Sequence, residues 1–165
     1  MQNQNHITDY KAVIFKVGEE EYGVHINQVI SIERMQEITP YPNRPAHVLG
    51  VTVLREVVTP VIDLRSALRG EALIPSDSSR IILVLVEDKQ IGLIVDAATD
   101  VLDIMIDTIQ HPNLLDSKEI SYLKGISKMD DRLIILLDIE KLLEKTTNLD
   151  ELKEIKETFQ DRCDS

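Results

Sequence analysis

The stretch Gly50–Leu68, GVTVLREVVTPVIDLRSAL, decides how the rest of the chain is interpreted, because its pattern occurs twice. A second copy, Gly125–Leu143, reads GISKMDDRLIILLDIEKLL and aligns with the first without a gap. Each copy begins with glycine, continues through apolar residues, and reaches an aspartate before a helical pattern, Asp63 in the first and Asp138 in the second. Repeated units are often unable to bury their apolar faces alone, so we expect the two copies to pack together.

An upstream pair of segments repeats in the same way. Lys11–Gly23, KAVIFKVGEEEYG, and Arg80–Gly92, RIILVLVEDKQIG, each run from a basic residue through an apolar run and an acidic turn to a glycine. Many short strands with regular turn signals are typical of small β-barrels or of a sandwich. Two halves with one plan favour two barrels. We therefore predict a mainly β domain over residues 9–145, with halves at roughly 9–70 and 79–145 that share chain, and a tail over 146–165.

Local patterns place the first elements. Ala12–Val17 is rich in β-branched and aromatic residues, an acidic turn follows, and Tyr22–Ile26 resumes the apolar character, which predicts a hairpin. Ile26, Val29 and Ile32 are three residues apart, whereas strand alternation would give two. This spacing predicts a short helical turn that continues into a strand.

Prolines and aspartates mark where elements stop and start. Three prolines make Ile38–Pro45 a connector, and Gln110–Lys124 is predicted to be a longer loop. Pro60, within an apolar run, predicts an edge strand or a bulge. Asp63 and Asp138 are each placed to cap a short helix, since an aspartate side chain accepts hydrogen bonds from the free amides of a first turn.

Composition excludes several classes of protein. Acidic residues number 29 against 18 basic ones, giving a formal charge of -11, which argues against nucleic acid and against an anionic membrane surface. The apolar run Ile81–Val86 is far too short to span a bilayer, and the N-terminus lacks the zones of a signal peptide. The single cysteine, Cys163, agrees with a reducing compartment. We expect a cytoplasmic protein that meets other proteins.

Residues that would support catalysis are not arranged in any familiar pattern. The four histidines have no second histidine, cysteine or carboxylate at a metal-ligand spacing, and no phosphate-binding glycine loop or nucleophile motif occurs. The duplicated aspartates are explained as helix caps, which need only the local sequence. We therefore expect no enzyme, no metal and no cofactor.

One set of apolar residues suggests a binding site. The residues Ile26, Val29 and Ile32 of the first half align with Val95, Ala98 and Val101 of the second. Isolated apolar residues would be assigned to the core. Because this set is duplicated, we predict two equivalent apolar edges that meet at the junction of the halves and form a groove suited to an apolar helix face.

The segment LGVTVLREVVTPVIDLR resembles the signature of the CheW family, which usually reads close to GVxNLRGxxxPVxDLR. The resemblance runs from Tyr10 to Leu143 and includes EEYGVHINQV, TPYPNRPAHVLG, QIGLIVD and DRLIILLDIEKLL in the same order. It implies two intertwined five-stranded SH3-like β-barrels with short helices. It also implies a protein without catalysis or cofactor that couples the cytoplasmic tips of chemoreceptors to the regulatory domain of the histidine kinase CheA.

The resemblance also implies roles for particular residues. The receptor tip, a helical hairpin, would lie in the groove formed by the duplicated set, which assigns Ile26, Val29, Ile32, Val95, Ala98 and Val101 to receptor binding. Leu114 and Leu115 fall in a loop that contacts the kinase in relatives. Arg55 matches the family arginine and is expected to act as a structural and coupling residue. Val53 and Glu56 depart from the family asparagine and glycine.

Two alternative classes stay open. A CheV-like protein has the same adaptor domain followed by a receiver domain, and the amphipathic helix predicted over Asn148–Arg162 would serve as its linker. A small-barrel protein that binds RNA or oligonucleotides is the second class, which the acidic charge and the few aromatic residues disfavour.

Overall fold

The computed structural model describes residues 9–111 and 122–147, and short strands dominate them, as predicted. The strands are β1 (Asp9–Val17), β2 (Glu20–His25), β3 (Val29–Arg34), β4 (Val48–Leu54), β5 (Val57–Asp63), β6 (Arg80–Val86), β7 (Lys89–Val95), β8 (Ala97–Met105), β9 (Ile109–Gln110), β10 (Leu123–Met129) and β11 (Arg132–Leu137). Two helices, α1 (Leu64–Arg69) and α2 (Ile139–Thr146), and two 3₁₀ turns, Ile26–Gln28 and Ile106–Thr108, complete the described elements. The predicted helix Asn148–Arg162 lies outside them.

The strands form two sheets, and each sheet takes strands from both sequence repeats. The first sheet has the order β8-β1-β2-β11-β10-β9, and the second has the order β3-β6-β7-β5-β4. The hairpin β1–β2 therefore joins strands of the second repeat, while the hairpin β6–β7 joins strands of the first. The repeat halves 9–70 and 79–145 are divisions of the sequence, and neither half forms a sheet of its own.

Strand pairing follows the repeat residue by residue. Gly50 pairs with Val61 as Gly125 pairs with Leu136. Val61 pairs with Gly92 as Leu136 pairs with Gly23, and Val29 pairs with Val84 as Ala98 pairs with Phe15. Because one alignment of the sequence reproduces antiparallel and parallel pairs alike, the predicted duplication is a duplication of structure.

Three apolar clusters show how the sheets curl. In the first sheet, Ile104 on one edge strand and Ile109 on the other pack with the same buried cluster, which also holds Ile14 and Ile134, so the sheet curls around it. The second sheet has a cluster of its own around Val61, Ile81 and Ile94. The largest cluster lies between the sheets and includes the helix residues Leu64, Ile139, Leu142 and Leu143. Both short helices thus pack into a core that the two halves share.

The aspartates cap the helices as predicted. The Asp63 carboxylate accepts a hydrogen bond from the Ser66 amide at 3.1 Å, and the Asp138 carboxylate accepts one from the Lys141 amide at 3.1 Å. Gly70 ends α1 in the left-handed conformation, with φ of 74°. These caps satisfy amides that a helix leaves without intrahelical partners.

The proline predictions have different outcomes. Ile38–Pro45 is a connector, in which only Thr39 forms an isolated bridge, with Val51. An edge strand or a bulge was predicted at Pro60: the edge strand was wrong, because β5 lies between β7 and β4, and the register shift of this strand pair lies between Val48 and Gly50 and not at Pro60. Pairing with β7 begins at Val61, immediately after Pro60, so the proline precedes that ladder.

The turn between β4 and β5 shows the effect of the departure at Glu56. Arg55 and Glu56 both have positive φ, at 53° and 68°. Left-handed backbone costs a residue with a side chain about 1–2 kcal/mol, and turns of this type prefer glycine at the second position. Glu56 therefore carries a strain that glycine would relieve.

Replacing Glu56 by glycine is expected to raise the free energy of unfolding by about 0.5–1 kcal/mol, part of the relief being offset by the greater freedom of glycine in the unfolded chain. Urea unfolding measures this change. Glu56→Ala is the control, because it removes the charge and keeps the strained Cβ. An equal gain with alanine would attribute the effect to charge and not to backbone conformation.

Candidate partner-binding groove

The two strands that carry most of the predicted groove residues lie at equivalent edges of the two sheets. β3 is an edge strand of its sheet, next to β6, and β8 is an edge strand of the other sheet, next to β1. β8 also lies beside β6, and the Ile26–Gln28 turn lies against both β1 and β6. The structure therefore brings these edges to the junction of the two sheets, where the sequence predicted a groove.

Ile32 and Val101 are the most exposed residues of the predicted groove set and would form the rims of the groove. Their side chains are 44% and 49% exposed, respectively. Ile32 pairs with Ile82 and Val101 pairs with Val13, and both of these partners are buried in the shared core. Each rim residue thus extends the shared apolar core to the surface, at matching positions of the two halves.

Three further groove residues are partly buried. Ile26 and Val29 pack against the shared core, and Ala98 is half-buried on β8. The turn that presents Ile26 is capped by His25, whose Nδ1 accepts a hydrogen bond from the Asn27 amide at 3.1 Å. Burial lowers the pKa of His25, which favours the neutral ring that this bond requires.

Val95 is a correction to the predicted set. It is fully buried at the end of β7 and belongs to the shared core, so it presents no surface to a partner. Its counterpart Ile26 begins a 3₁₀ turn, whereas Val95 is the last residue of a strand. The two residues are equivalent in the alignment and differ in exposure because the chain leaves the sheets differently after them.

Three exposed apolar residues outside the predicted set lie near it along the chain. Ile30 on β3 is 38% exposed, Met105 at the end of β8 is 46% exposed, and Ile106 in the following turn is 43% exposed. Alternation along β3, in which Ile30, Ile32 and Arg34 are exposed, was the signal for the first. No such pattern marks the other two.

A charged cluster on the first sheet bridges strands that are not neighbours. Arg132 on β11 donates to both carboxylate oxygens of Glu21, at 3.0 and 2.8 Å, and to Asp100 on β8 at 3.2 Å. The hydrogen bonds from Arg132 lower the pKa of Asp100, and those to Glu21 and Asp100 raise the pKa of Arg132. Because two strands separate β8 from β11, this contact requires a strongly curled sheet.

Of the remaining predicted residues, Arg55 does not lie on the groove strands, and Leu114 and Leu115 are not among the described residues. Arg55 is exposed in the β4–β5 turn, and its side chain makes no hydrogen bond or ion pair within residues 9–111 and 122–147, so no structural contact of its guanidinium is observed there. Leu114 and Leu115 lie outside the described residues, and their contact with the kinase stays a prediction.

One group of carboxylates has metal-ligand proximity among the described residues. Glu87, Glu140 and Glu144 each offer an oxygen, and these atoms lie within 4.8 Å of one another. Burial raises the pKa of Glu140, and the neighbouring carboxylate of Glu87 adds to this rise. Exposed carboxylates often cluster without an ion, so we assign no metal to this group. Neither α1 nor α2 has the length and apolar character that crossing a membrane requires.

The fold defines a class of protein: a duplicated, mainly β protein with two curled sheets, a shared core, and exposed apolar residues on equivalent edge strands. The chain belongs to the CheW-like domain family, whose model matches residues 11–147. It is 34% identical to the chemotaxis protein CheW of Klebsiella aerogenes, over 79% of this chain and 80% of the relative. It is also 34% identical to CheW of Bacillus subtilis, over 86% of this chain and 91% of the relative.

A solved structure supports the same assignment. The scaffolding protein TtCheW from Thermoanaerobacter tengcongensis superposes with a TM-score of 0.75 at 34% sequence identity, covering 82% of this chain and 93% of that one. The family assignment and the two-sheet fold therefore agree, and the chain is a member of a family of chemotaxis scaffold proteins.

Proposed function

We propose that this protein is a cytoplasmic adaptor without catalytic activity that couples chemoreceptors to the histidine kinase CheA. Membership of the CheW-like family supports the adaptor role. The observation that carries the receptor side is the pair of exposed rims, Ile32 and Val101, at equivalent edges beside one shared core. An apolar groove with two walls suits the apolar face of a helix.

The kinase side of the proposal rests on the family resemblance. The regulatory domain of CheA is itself CheW-like, so we propose that it stacks against one end of this protein. Arg55, exposed on the β4–β5 turn, and the segment with Leu114 and Leu115 are the proposed contacts. Each single interface is expected to be modest, since many linked contacts in an array supply avidity.

Calorimetric titration of the protein with the regulatory domain of CheA from the same organism tests the kinase side, with sedimentation as a check. Saturable binding of one domain to one adaptor supports the proposal. If no heat is released and the two proteins sediment separately at high concentration, the role in kinase coupling is rejected.

Replacing Ile32 by glutamate is expected to weaken binding of a chemoreceptor cytoplasmic fragment by at least about tenfold, because the groove would have to desolvate a charge. Ile32 is 44% exposed, so the free energy of unfolding should change little. Calorimetry measures the affinity, and urea unfolding measures the stability.

Leu133→Glu is the matched control for this prediction. Leu133 is 58% exposed on β11, three strands from the groove strand β8 in the order of the first sheet. The same charge placed there should leave receptor affinity unchanged. Equal losses from both variants, or none from Ile32→Glu, would contradict the proposed receptor site.

A further inference from the structure

One pair of equivalent cross-strand positions differs in charge between the two sheets. On β1 and β8, Lys11 lies opposite Asp103, with Nζ 3.6 Å from the carboxylate Oδ1. The equivalent position on β3 and β6 holds Arg34 opposite Arg80. Opposite charges in such cross-strand pairs stabilise a sheet, and like charges destabilise it. The first sheet therefore supplies its own carboxylate at this position, and the second sheet does not.

The two arginines line a small cavity with free donors. Its volume is about 340 Å³, and its lining residues are Arg34, Met35, Ser76, Asp77, Ser79 and Arg80. Arg80 Nη1 donates to the backbone oxygens of Asp77 and Ser79, at 2.9 and 2.8 Å, which fixes the guanidinium, and its Nε and Nη2 donors have no acceptor within residues 9–111 and 122–147.

The other two charged side chains of the cavity make no ion pair within the described residues. Arg34 is exposed, and its guanidinium has no hydrogen-bond acceptor there. Asp77 is also exposed, and its carboxylate pairs with neither arginine. With two arginines and one unpaired carboxylate, the cavity has a net positive charge in a chain with 29 acidic and 18 basic residues, which favours an external anion.

The arginine pair continues one wall of the groove. Arg34 lies on the same face of β3 as Ile32, since alternate residues of a strand share a face and the pairing of β3 with β6 is regular from Ser31 to Arg34. On the other wall, the residue equivalent to Arg34 is Asp103, two positions beyond the rim residue Val101. Two equivalent apolar walls alone would accept a helix in either direction. The unmatched arginines make the two walls chemically different.

We propose that Arg34 and Arg80 form a carboxylate-binding site that receives a glutamate or aspartate of the helical partner segment and fixes the direction of that segment along the groove. The inference rests on the proposed function, because the helix is the one that the groove would hold. A guanidinium pair suits a carboxylate, because two planar groups can each donate hydrogen bonds to its oxygens.

Two substitutions test the site with a chemoreceptor cytoplasmic fragment as the probe. Arg34→Glu reverses one charge. Arg80→Asp places a carboxylate opposite Arg34, with the charges in the reverse order of the Lys11–Asp103 pair, so Arg34 gains an internal partner that offsets the two backbone hydrogen bonds of Arg80, and the thermal midpoint of unfolding should change little. Both variants are expected to bind the fragment about tenfold more weakly than the parent protein, and to lose part of its salt dependence.

Lys128→Glu is the matched control, since Lys128 is an exposed cation on β10 of the other sheet. It should leave affinity unchanged. Reversal of single acidic residues of the receptor fragment to lysine should yield one fragment that binds Arg34→Glu better than it binds the parent protein. That rescue would identify the partner carboxylate and the direction of the helix.

Two results would overturn the inference. Parent-like affinity of Arg34→Glu and Arg80→Asp would show that the arginines bind no carboxylate, while the proposed function would stand. An equal loss in Lys128→Glu would show an effect of net charge alone. Failure of the parent protein itself to bind the fragment would reject the proposed receptor role and, with it, the site that depends on that role.

Discussion

Replacing Gly50 by alanine is expected to lower the free energy of unfolding by about 3 kcal/mol, which is a large part of the stability of a domain this size. Gly50 has φ of 152°, a conformation that side chains rarely adopt. A Cβ there would overlap the carbonyl oxygen of Thr39 and would lie 2.7 Å from its carbonyl carbon and 2.9 Å from Pro40 Cα. Backbone atoms cannot move aside as the end of a side chain can.

The close approach at Gly50 is part of how the sheet is built. Thr39 and Val51 exchange two backbone hydrogen bonds, at 2.8 and 3.0 Å, which hold the proline-rich connector against the edge of β4. The register of β4 on β5 also shifts between Val48 and Gly50. Alanine must therefore either break the bridge or move β4 at its bulge.

Gly125 supplies the matched comparison, because it is the equivalent residue in the second half. A Cβ at Gly125 would overlap Cγ2 of Ile109 and approach the carbonyl oxygen of Gln110 at 3.2 Å. The worst contact is with a side chain, so Gly125→Ala should cost about 1–2 kcal/mol, and less when Ile109 is also changed to alanine. Urea unfolding of the parent protein, of Gly50→Ala, of Gly125→Ala and of Gly125→Ala combined with Ile109→Ala measures these differences. A cost at Gly50 equal to that at Gly125, or below it, would contradict the backbone argument.

The duplication made much of the fold predictable from the sequence. Glycines and aspartates recur at fixed positions because the same bulge and the same helix start are built twice, so Gly50, Gly125, Asp63 and Asp138 carry structural information without any partner in view. The hairpin β1–β2 followed from the local pattern of strand and turn residues. The exchange of hairpins between the repeats could not be predicted, since a repeat in the sequence does not indicate which copy pairs with which.

Two local errors have physical causes. The start of β10, at Leu123, fell inside the predicted loop Gln110–Lys124, because lysine and serine interrupt the apolar run that its counterpart β4 retains. Val95 was included in the predicted groove because an alignment shows which residues are equivalent but not how exposed each one is. The exposure of a residue depends on the path of the chain after it. Charge at equivalent positions is likewise free to differ, as Arg34 and Asp103 do, because exposed side chains are not constrained by the shared core.

Replacing Asp63 by asparagine is expected to lower the free energy of unfolding by about 2 kcal/mol, although asparagine is normally as good a helix cap as aspartate. Asp63 is only 3% exposed, and its two oxygens have separate tasks. One accepts the Ser66 amide that starts α1, and the other accepts the Leu73 amide at 2.9 Å. An asparagine amide would turn its own N–H group towards one of these donors and leave it unsatisfied.

The loss should extend beyond the helix, because the Leu73 amide belongs to the connector between the halves. The Leu73 side chain packs in the cluster inside the second sheet, so the Asp63 carboxylate fixes both the start of α1 and an apolar contact ten residues later. Burial strengthens this effect, since water cannot replace the lost acceptor.

Asp138 is the comparison for this double role, because in the part of the chain that the structure describes its carboxylate only caps a helix. Its carboxylate accepts the Lys141 amide and, within the described residues, no second backbone amide. Asp138→Asn should therefore change stability by less than about 0.5 kcal/mol, whereas Asp138→Ala should cost about 1 kcal/mol, the usual value of a lost cap. Urea unfolding of both asparagine variants provides the comparison. If Asp63→Asn were as mild as Asp138→Asn, the hydrogen bond to Leu73 would contribute nothing, and the two halves of the repeat would use their aspartates only to begin a helix.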